Sequence, residues 1–345
     1  MKSNPPDEDG TAEAVPYEPE DGTAEAVPYE PEDGTAEAVP YEPQPCEAPR
    51  ELAEAIERAR PRLGRLASSL LFFPTIGSTN DAALAWSAKP SAGRPVLEGS
   101  ANAAAERLAL ERSAKALAER SGARSEGLVV VADEQTAGRG RRGHSWFSPA
   151  GSGLYVSVVL TPGTARVDPP RATMLLTLTA GVALVEGVEA ATGLRVDLKW
   201  PNDLQVSRRK LGGILAEATS IGSTTGSVVA GYGINVASAA LPPDLRDLAT
   251  SLESELGRPV DRHHLLVETL VALSRRYEDL LAGRFDAILD AWRQYAPAAS
   301  GARVNWTTAA GAETGVTAGI DDFGALLVRV GDHMERIVSG EVIWL

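Results

Sequence analysis

The sequence predicts an α+β protein, a mixed β-sheet domain flanked by helices and followed by a small C-terminal β-domain. Three observations predict it. Short β-branched apolar runs such as GLVVVADEQ and LYVSVVL alternate with longer helical patterns through the middle of the chain. The segment from Gly301 to Leu345 breaks into period-two runs separated by Gly or Asp. A loop rich in glycine and arginine stands where one of the apolar runs ends.

The chain has 345 residues, 43% of them hydrophobic and only 5% aromatic. That length suits about two domains. No run approaches the roughly 20 apolar residues that a membrane helix needs, and Met1–Pro6 lacks the apolar core of a secretory signal. The expectation is a cytoplasmic protein. The one cysteine, Cys46, excludes an internal disulfide, and no Cys/His group has zinc spacing. His263 and His264 fall in a helical stretch, where a solvated or half-buried pair is expected rather than a metal site.

The net charge of −14 is concentrated at one end: residues 1–48 hold 14 acids against Lys2, so the remainder carries only −1. A general nucleic-acid binder would show a basic surplus over its domain. Within that acidic segment the unit DGTAEAVPYEPE runs from Asp9 to Glu20, repeats from Asp21 to Glu32, and repeats again from Asp33 to Gln44 with its last Glu replaced. Two prolines and four acids per unit leave too little apolar surface to offset chain ordering, so residues 1–48 are expected to be a disordered acidic tail. A solubilising or docking arm and a duplicated tract without a dedicated role both remain open.

From Arg50, ELAEAIERARPRLGRL reads as a short amphipathic helix closed near Pro61 and Gly64. The space between Pro49 and Leu70 is too short for the three helices of a DNA-binding helix-turn-helix unit, so a repressor role is not expected. LLFFPTI is a strand, Ser78–Thr79–Asn80–Asp81 opens the helix DAALAW, and the Ala-rich stretch from Asn102 to Arg120 is a strong helix former. GLVVVADEQ (127–135) and LYVSVVL (154–160) are strands, Met174 to Thr192 is a helix, and RVDLKW, Lys210–Glu217 and Ser227–Val236 are further strands. Helices over about 261–283 and 286–296 end at Pro297. ARVNW, TGVTAGI, ALLVRV, HMERIV and EVIWL then have the pattern of a small SH3-like β-barrel.

Three segments carry candidate chemistry. In GRGRRGHSWFSPAGSGLYVS (138–157), Arg139, Arg141 and Arg142 are spaced by Gly138, Gly140 and Gly143. Glycines let backbone approach a ligand, and guanidinium forks bind carboxylate or phosphate oxygens. An exposed basic turn is the competing reading. The loop lacks the Gly-Lys-Ser/Thr ending of a Walker A motif. In LKWPNDLQVSRRKLGGILAEA (198–218), Lys199 and Lys210 bracket a Pro-Asn-Asp turn, and Gly212 and Gly213 leave room for an ammonium to reach into a pocket and neutralise phosphate charge. A solvated hairpin is the alternative. The third segment, AGYGINVAS (230–238), carries Gly231, Gly233 and Asn235 and is weak alone.

Taken in this order, with Ser78–Thr79–Asn80 upstream, these blocks resemble the biotin protein ligases, and the resemblance runs from about Leu70 to Leu345. It implies a class II synthetase-like biotin/lipoate ligase fold over 49–298 and the SH3-like domain over 299–345. It also implies ATP with Mg²⁺, biotin as substrate, formation of biotinyl-5′-AMP, and transfer to a lysine of a carboxylase's biotin carboxyl carrier domain. By the same resemblance, Ser78, Thr79, Asn80, Gln135, Gly138, Arg139, Gly140, Arg141, Lys210 and Gly213 would hold biotin. Trp146, Lys199, Asn202, Asp203 and Asn235 would hold the nucleotide, the last three being candidates for a link to Mg²⁺. Arg141, Lys210 and Lys199 are the catalytic candidates. Trp146 reads equally as an adenine stack or a core tryptophan. Residues 88–126 make the connection longer than the family's compact form, and a homodimer is open. A lipoate or octanoate enzyme of the same superfamily and a non-enzymatic binding module are the other readings.

Overall fold

In a computed structural model, residues 44–88, 125–221, 224–237, 245, 247–308 and 311–345 are described. The acidic repeats, the Ala-rich stretch 102–120 and most of the 88–126 insertion lie outside them. Seven strands, β1 (Ser69–Ile76), β2 (Leu128–Gln135), β3 (Gly153–Leu160), β4 (Asp197–Lys199), β5 (Asp203–Val206), β6 (Arg209–Ile221) and β7 (Thr224–Asn235), form one sheet in the order β1-β2-β3-β7-β6-β5-β4. The β1–β2 pair is parallel and the others are antiparallel, so the sheet is mixed as expected.

Strand periodicity explains why β1 and β2 read as unbroken apolar runs. Successive side chains point to opposite faces, and here both faces are covered. Val129 and Val131 enter the large core together with Leu70, while Leu128, Val130 and Ala132 join Leu71, Phe73, Ala82 and Ala83 on the other side. The second cluster is roofed by helix α2 (Thr79–Ala88). The large core lies under α1 (Arg50–Ala59), α3 (Pro169–Thr192), α5 (Arg262–Leu281) and α6 (Phe285–Tyr295).

Helix α3 starts five residues before the expected Met174, because Asp168 caps it by accepting from the Arg171 amide at 3.1 Å and Pro169 occupies its first position. It also corrects the expectation about apolar runs. With 24 residues and a mean hydropathy of 1.5 in its most apolar window, α3 is long and apolar enough to cross a membrane, yet 67% of that window is buried inside the fold. It packs so closely on α5 that a Cβ at Gly187 would lie 2.5 Å from Thr269 Cα. Asp261 caps α5 through the amides of His263 and His264, at 2.9 and 3.1 Å, which places the histidine pair in a solvent-facing first turn.

Two elements were not expected. Strand β5 occupies residues read as the end of a turn, and the five-residue helix α4 (Leu252–Leu256) is begun by a Ser251 cap. Both are too short for periodicity to reveal. At the C-terminus the five expected strands are present: β8 (Ser300–Thr308), β9 (Gly311–Ile320), β10 (Leu326–Val330), β11 (His333–Ile337) and β12 (Val342–Trp344). They form an antiparallel sheet in the order β11-β10-β9-β8-β12. No β11–β12 pairing closes it among the described residues, so the SH3-like unit is an open sheet rather than a closed barrel. Its inner residues Val304, Leu326 and Val328 belong to the large core.

Tyr277 ties α5 to the sheet. Its hydroxyl donates to Glu126 Oε1 at 2.7 Å and accepts from the Thr161 amide at 2.8 Å. Tyr277→Phe strands a buried N–H, and we expect a loss of about 1–3 kcal/mol. It should appear as a lower urea midpoint at unchanged m-value; an unmoved midpoint would contradict the assignment.

Candidate active site

A cavity of about 560 Å³ opens between the 138–146 loop, β6, β7, the 199–203 turn and β12. Its inner end begins at the N-terminus of α2, where Ser78, Thr79 and Asn80 are buried. The Thr79 amide and hydroxyl both donate to Gln135 Oε1, at 2.9 and 3.1 Å, and Gln135 Nε2 donates to Ser148 Oγ at 3.0 Å. Asn80 is only 4% exposed and has both polar ends occupied. Its Oδ1 lies 2.5 Å from the Ser157 hydroxyl and its Nδ2 donates to Glu217 Oε2 at 2.6 Å. Asn80 thus builds the wall.

The loop is folded back on itself. The Trp146 amide donates to the Gly138 carbonyl at 2.8 Å and the Gly140 amide to the His144 carbonyl at 2.6 Å. Gly138 lies beneath it, not in the cavity lining: a Cβ there would meet the Trp146 carbonyl at 2.4 Å. Arg142 holds a left-handed conformation, φ 57° and ψ 32°, which turns the chain sharply just after Arg141. Arg139 is clamped between Asp81 Oδ1 at 2.6 Å and Glu217 Oε2 at 2.9 Å. Arg141 donates to Asn202 Oδ1 at 3.3 Å. Burial pulls its guanidinium below the ordinary arginine range, with repulsion from Arg142 in the same sense and Asp203 opposing. A desolvated cation of this kind gains most from an incoming anion.

A β-bulge sets Lys210. Leu204 pairs with Gly212 but Gln205 pairs with Lys210, so Leu211 is the extra residue, and such an insertion re-aims neighbouring side chains. The Lys210 backbone is pinned on both sides, its amide to the Leu248 carbonyl and its carbonyl to the Thr250 amide, at 2.8 and 2.9 Å. Its ammonium lies 2.7 Å from Asp203 Oδ1 and 5.5 Å from the centre of the Trp146 ring. Lys199 makes no ion pair among the described residues; its ammonium faces the Trp344 ring at 5.0 Å. Burial pushes the Lys199 ammonium below the ordinary lysine range, opposed by Asp203 and reinforced by Lys210.

Of the site residues expected from sequence, all but Gly138 and Asn235 line this cavity. Asn235 instead donates to the Thr250 carbonyl at 3.0 Å and fixes the segment that pins Lys210. Trp146 lies against the sheet, its buried indole N–H without a hydrogen-bond partner among the described residues, and a Cβ at Gly233 would fall 2.4 Å from that nitrogen. The glycines of AGYGIN therefore make room, Gly231 for Asn80 and Gly233 for Trp146. Sequence reasoning missed Glu217, Ser157, Arg208 and the lining residues Gly340–Trp344. Only the doubled arginines and the Trp near the end of EVIWL hinted at them.

A mixed sheet carrying a glycine–arginine loop over a cationic cavity, with a five-stranded sheet appended, defines the class of biotin and lipoate protein ligases. Sequence comparison agrees: residues 110–235 match the model of the biotin/lipoate A/B protein ligase family, and residues 299–344 match the biotin protein ligase C-terminal domain. The biotin--[acetyl-CoA-carboxylase] ligase of Paracoccus denitrificans is 34% identical over 220 residues, 62% of this chain and 89% of that protein. The bifunctional ligase/repressor BirA of Bacillus spizizenii is 38% identical over 63% of this chain, a match that spans 66% of its own length. A solved biotin protein ligase from Aquifex aeolicus, in complex with biotin and ATP, superposes with a TM-score of 0.61 at 25% identity, covering 80% of this chain and 98% of that one. The chain belongs to the biotin protein ligase family.

Because the Glu217 carboxylate is shared by Asn80 and Arg139, Glu217→Gln should weaken the loop's attachment. For a partly exposed pair we expect about 1 kcal/mol. Limited trypsin digestion of the ligand-free protein should cut after Arg139, Arg141 or Arg142 several times faster than in the parent. An unchanged cleavage rate would show that the clamp does not hold the loop.

Proposed function

We propose that the chain is an ATP-dependent biotin protein ligase that forms biotinyl-5′-AMP and passes biotin to a lysine of a carboxylase's biotin carrier domain, in the cytoplasm. One observation supports this above the rest: Arg141 from the glycine–arginine loop and Lys199 and Lys210 from the 198–218 segment line one cavity, together with the polar, uncharged Ser78, Thr79 and Gln135. Such a cavity suits a ligand with a neutral hydrogen-bonding ring at one end and a carboxylate at the other.

In the first step a biotin carboxylate oxygen attacks the α-phosphorus of ATP. The bond from that phosphorus to its bridging oxygen breaks, and pyrophosphate leaves. Two anions must meet, and fixed cations offset their repulsion without having to reorganise. Lys210 lines the cavity beside Asp203 and Trp146 and is assigned to both the carboxylate and the α-phosphate. Lys199 and Arg208 line the same cavity and are assigned to the outer phosphates. Magnesium is assigned here to the MgATP substrate, where it would be held largely by the phosphates. In the second step the neutral amine of the acceptor lysine attacks the acyl carbon, AMP departs, and the amine loses a proton. Until then the 138–146 loop keeps water from the mixed anhydride, with Arg141 over the phosphate.

Lys210→Ala should reduce biotin-dependent exchange of pyrophosphate into ATP by about 100-fold or more, the scale expected when a preorganised charge is removed from the transition state. Exchange at the parental rate would overturn the assignment, and exchange supported equally by lipoate or octanoate would redirect it to those acids. Arg141→Gly should retain adenylation but release activated biotin, seen as biotin on lysines of an added bystander protein such as serum albumin. An active variant that labels only its acceptor would show that Arg141 does not gate release.

A further inference from the structure

Two lysines and three tryptophans line the cavity, and two of the tryptophans each face a lysine. Lys210 faces Trp146 but also has a carboxylate, Asp203, at 2.7 Å. Lys199 has the indole of Trp344 at 5.0 Å and makes no ion pair among the described residues. Trp344 comes from β12, and its ring is oriented by an Nε1–H donated to the Ala298 carbonyl at 3.2 Å. On one side of it the buried Val342 anchors the strand in the core, and on the other the Leu345 carbonyl accepts from Arg208 at 3.3 Å.

An aromatic face attracts an ammonium without cancelling its charge. A carboxylate in the same place would have to be displaced before the lysine could serve a phosphate. We propose that Trp344 is a positioning residue for the nucleotide: its ring holds the Lys199 ammonium in the cavity with its hydrogen-bond donors free for an incoming polyphosphate, so that the C-terminal sheet sets the affinity for ATP. This rests on the ligase reading above. The groups facing Lys199 fit such a role. Asp203 and Glu341 favour its charged form, Lys210 and Arg208 disfavour it, and burial disfavours it most. The indole offsets part of that penalty in a way that leaves the charge available.

Two variants of the full chain test the idea, Trp344→Leu and Trp344→Phe, with thermal melting to confirm that both fold. Leucine keeps apolar bulk and removes the aromatic face; phenylalanine keeps the face. In Trp344→Leu the KM for ATP should rise about three- to tenfold, the range for losing a cation–π contact at a partly exposed to desolvated site. The KM for biotin should stay within about twofold, and Trp344→Phe should recover most of the loss. Equal effects on both substrates, or a phenylalanine variant as poor as leucine, would overturn the proposal.

A second readout needs no substrate. Competitive acetylation of the ligand-free protein across a pH series, read by mass spectrometry at Lys199, reports where its ammonium loses a proton. Without the aromatic face the charged form loses support, so reactivity in Trp344→Leu should begin at lower pH than in the parent. An unshifted profile would sink the Trp344–Lys199 pairing even if the enzyme proves to be a biotin ligase. A shifted profile in a protein that fails to adenylate biotin would keep the pairing and reject only the ligase reading.

Discussion

Like charges gathered in one place repel, and much of this structure serves to hold Arg141, Lys199 and Lys210 around a single cavity all the same. At a separation of 4 Å two unit charges interact by about 1 kcal/mol in water and about 4 kcal/mol at a protein-like effective dielectric. Side chains on slack backbone would relax away from one another. Here each is held: Lys210 by a bulge and two backbone bonds to 248–250, Arg141 by a left-handed turn at Arg142, Lys199 by a short edge strand and the Trp344 ring. The burial that lowers the Arg141 and Lys199 proton affinities is the same burial that makes an anionic ligand welcome.

Close approach is the second theme. Gly231 and Gly233 occupy alternate positions on β7 and therefore share a face, so Asn80 and Trp146 can lie directly on the strand backbone. Tyr232 and Ile234, between and beyond them, point the other way and are buried in the large core. One strand thus supplies both a flat cavity floor and a share of the hydrophobic packing that fixes it. Glu217 joins the floor to the roof, since one carboxylate oxygen receives Asn80 from below and Arg139 from the loop above.

The C-terminal sheet is part of this site. It shares a buried core with the mixed-sheet part of the chain and lends Gly340–Trp344 to the cavity lining. Its sheet remains open among the described residues, so β12 is an edge strand, and Val342, Ile343 and Trp344 line the cavity.

Sequence by itself determined the order of the longer elements, the mixed α+β class and the segments that carry charge, because apolar period, glycine spacing and arginine density are local properties. It read β2 and β3 correctly, since a buried strand announces itself in a short β-branched run, and it marked Lys199, Lys210 and Arg141 from their neighbours in the chain. It could not tell that α3, apolar enough for a membrane, is a core helix, because only packing against α5 and the sheet decides that. Nor could it place Asn235 beneath the Lys210 support, Glu217 between loop and floor, or Trp344 beside Lys199. Those pairs lie far apart in sequence, 145 positions for Trp344 and Lys199, and a contact between distant residues leaves no periodic trace in either segment. Tertiary structure decided them, through the register of β6 on β7 and the seating of β12 beside β8.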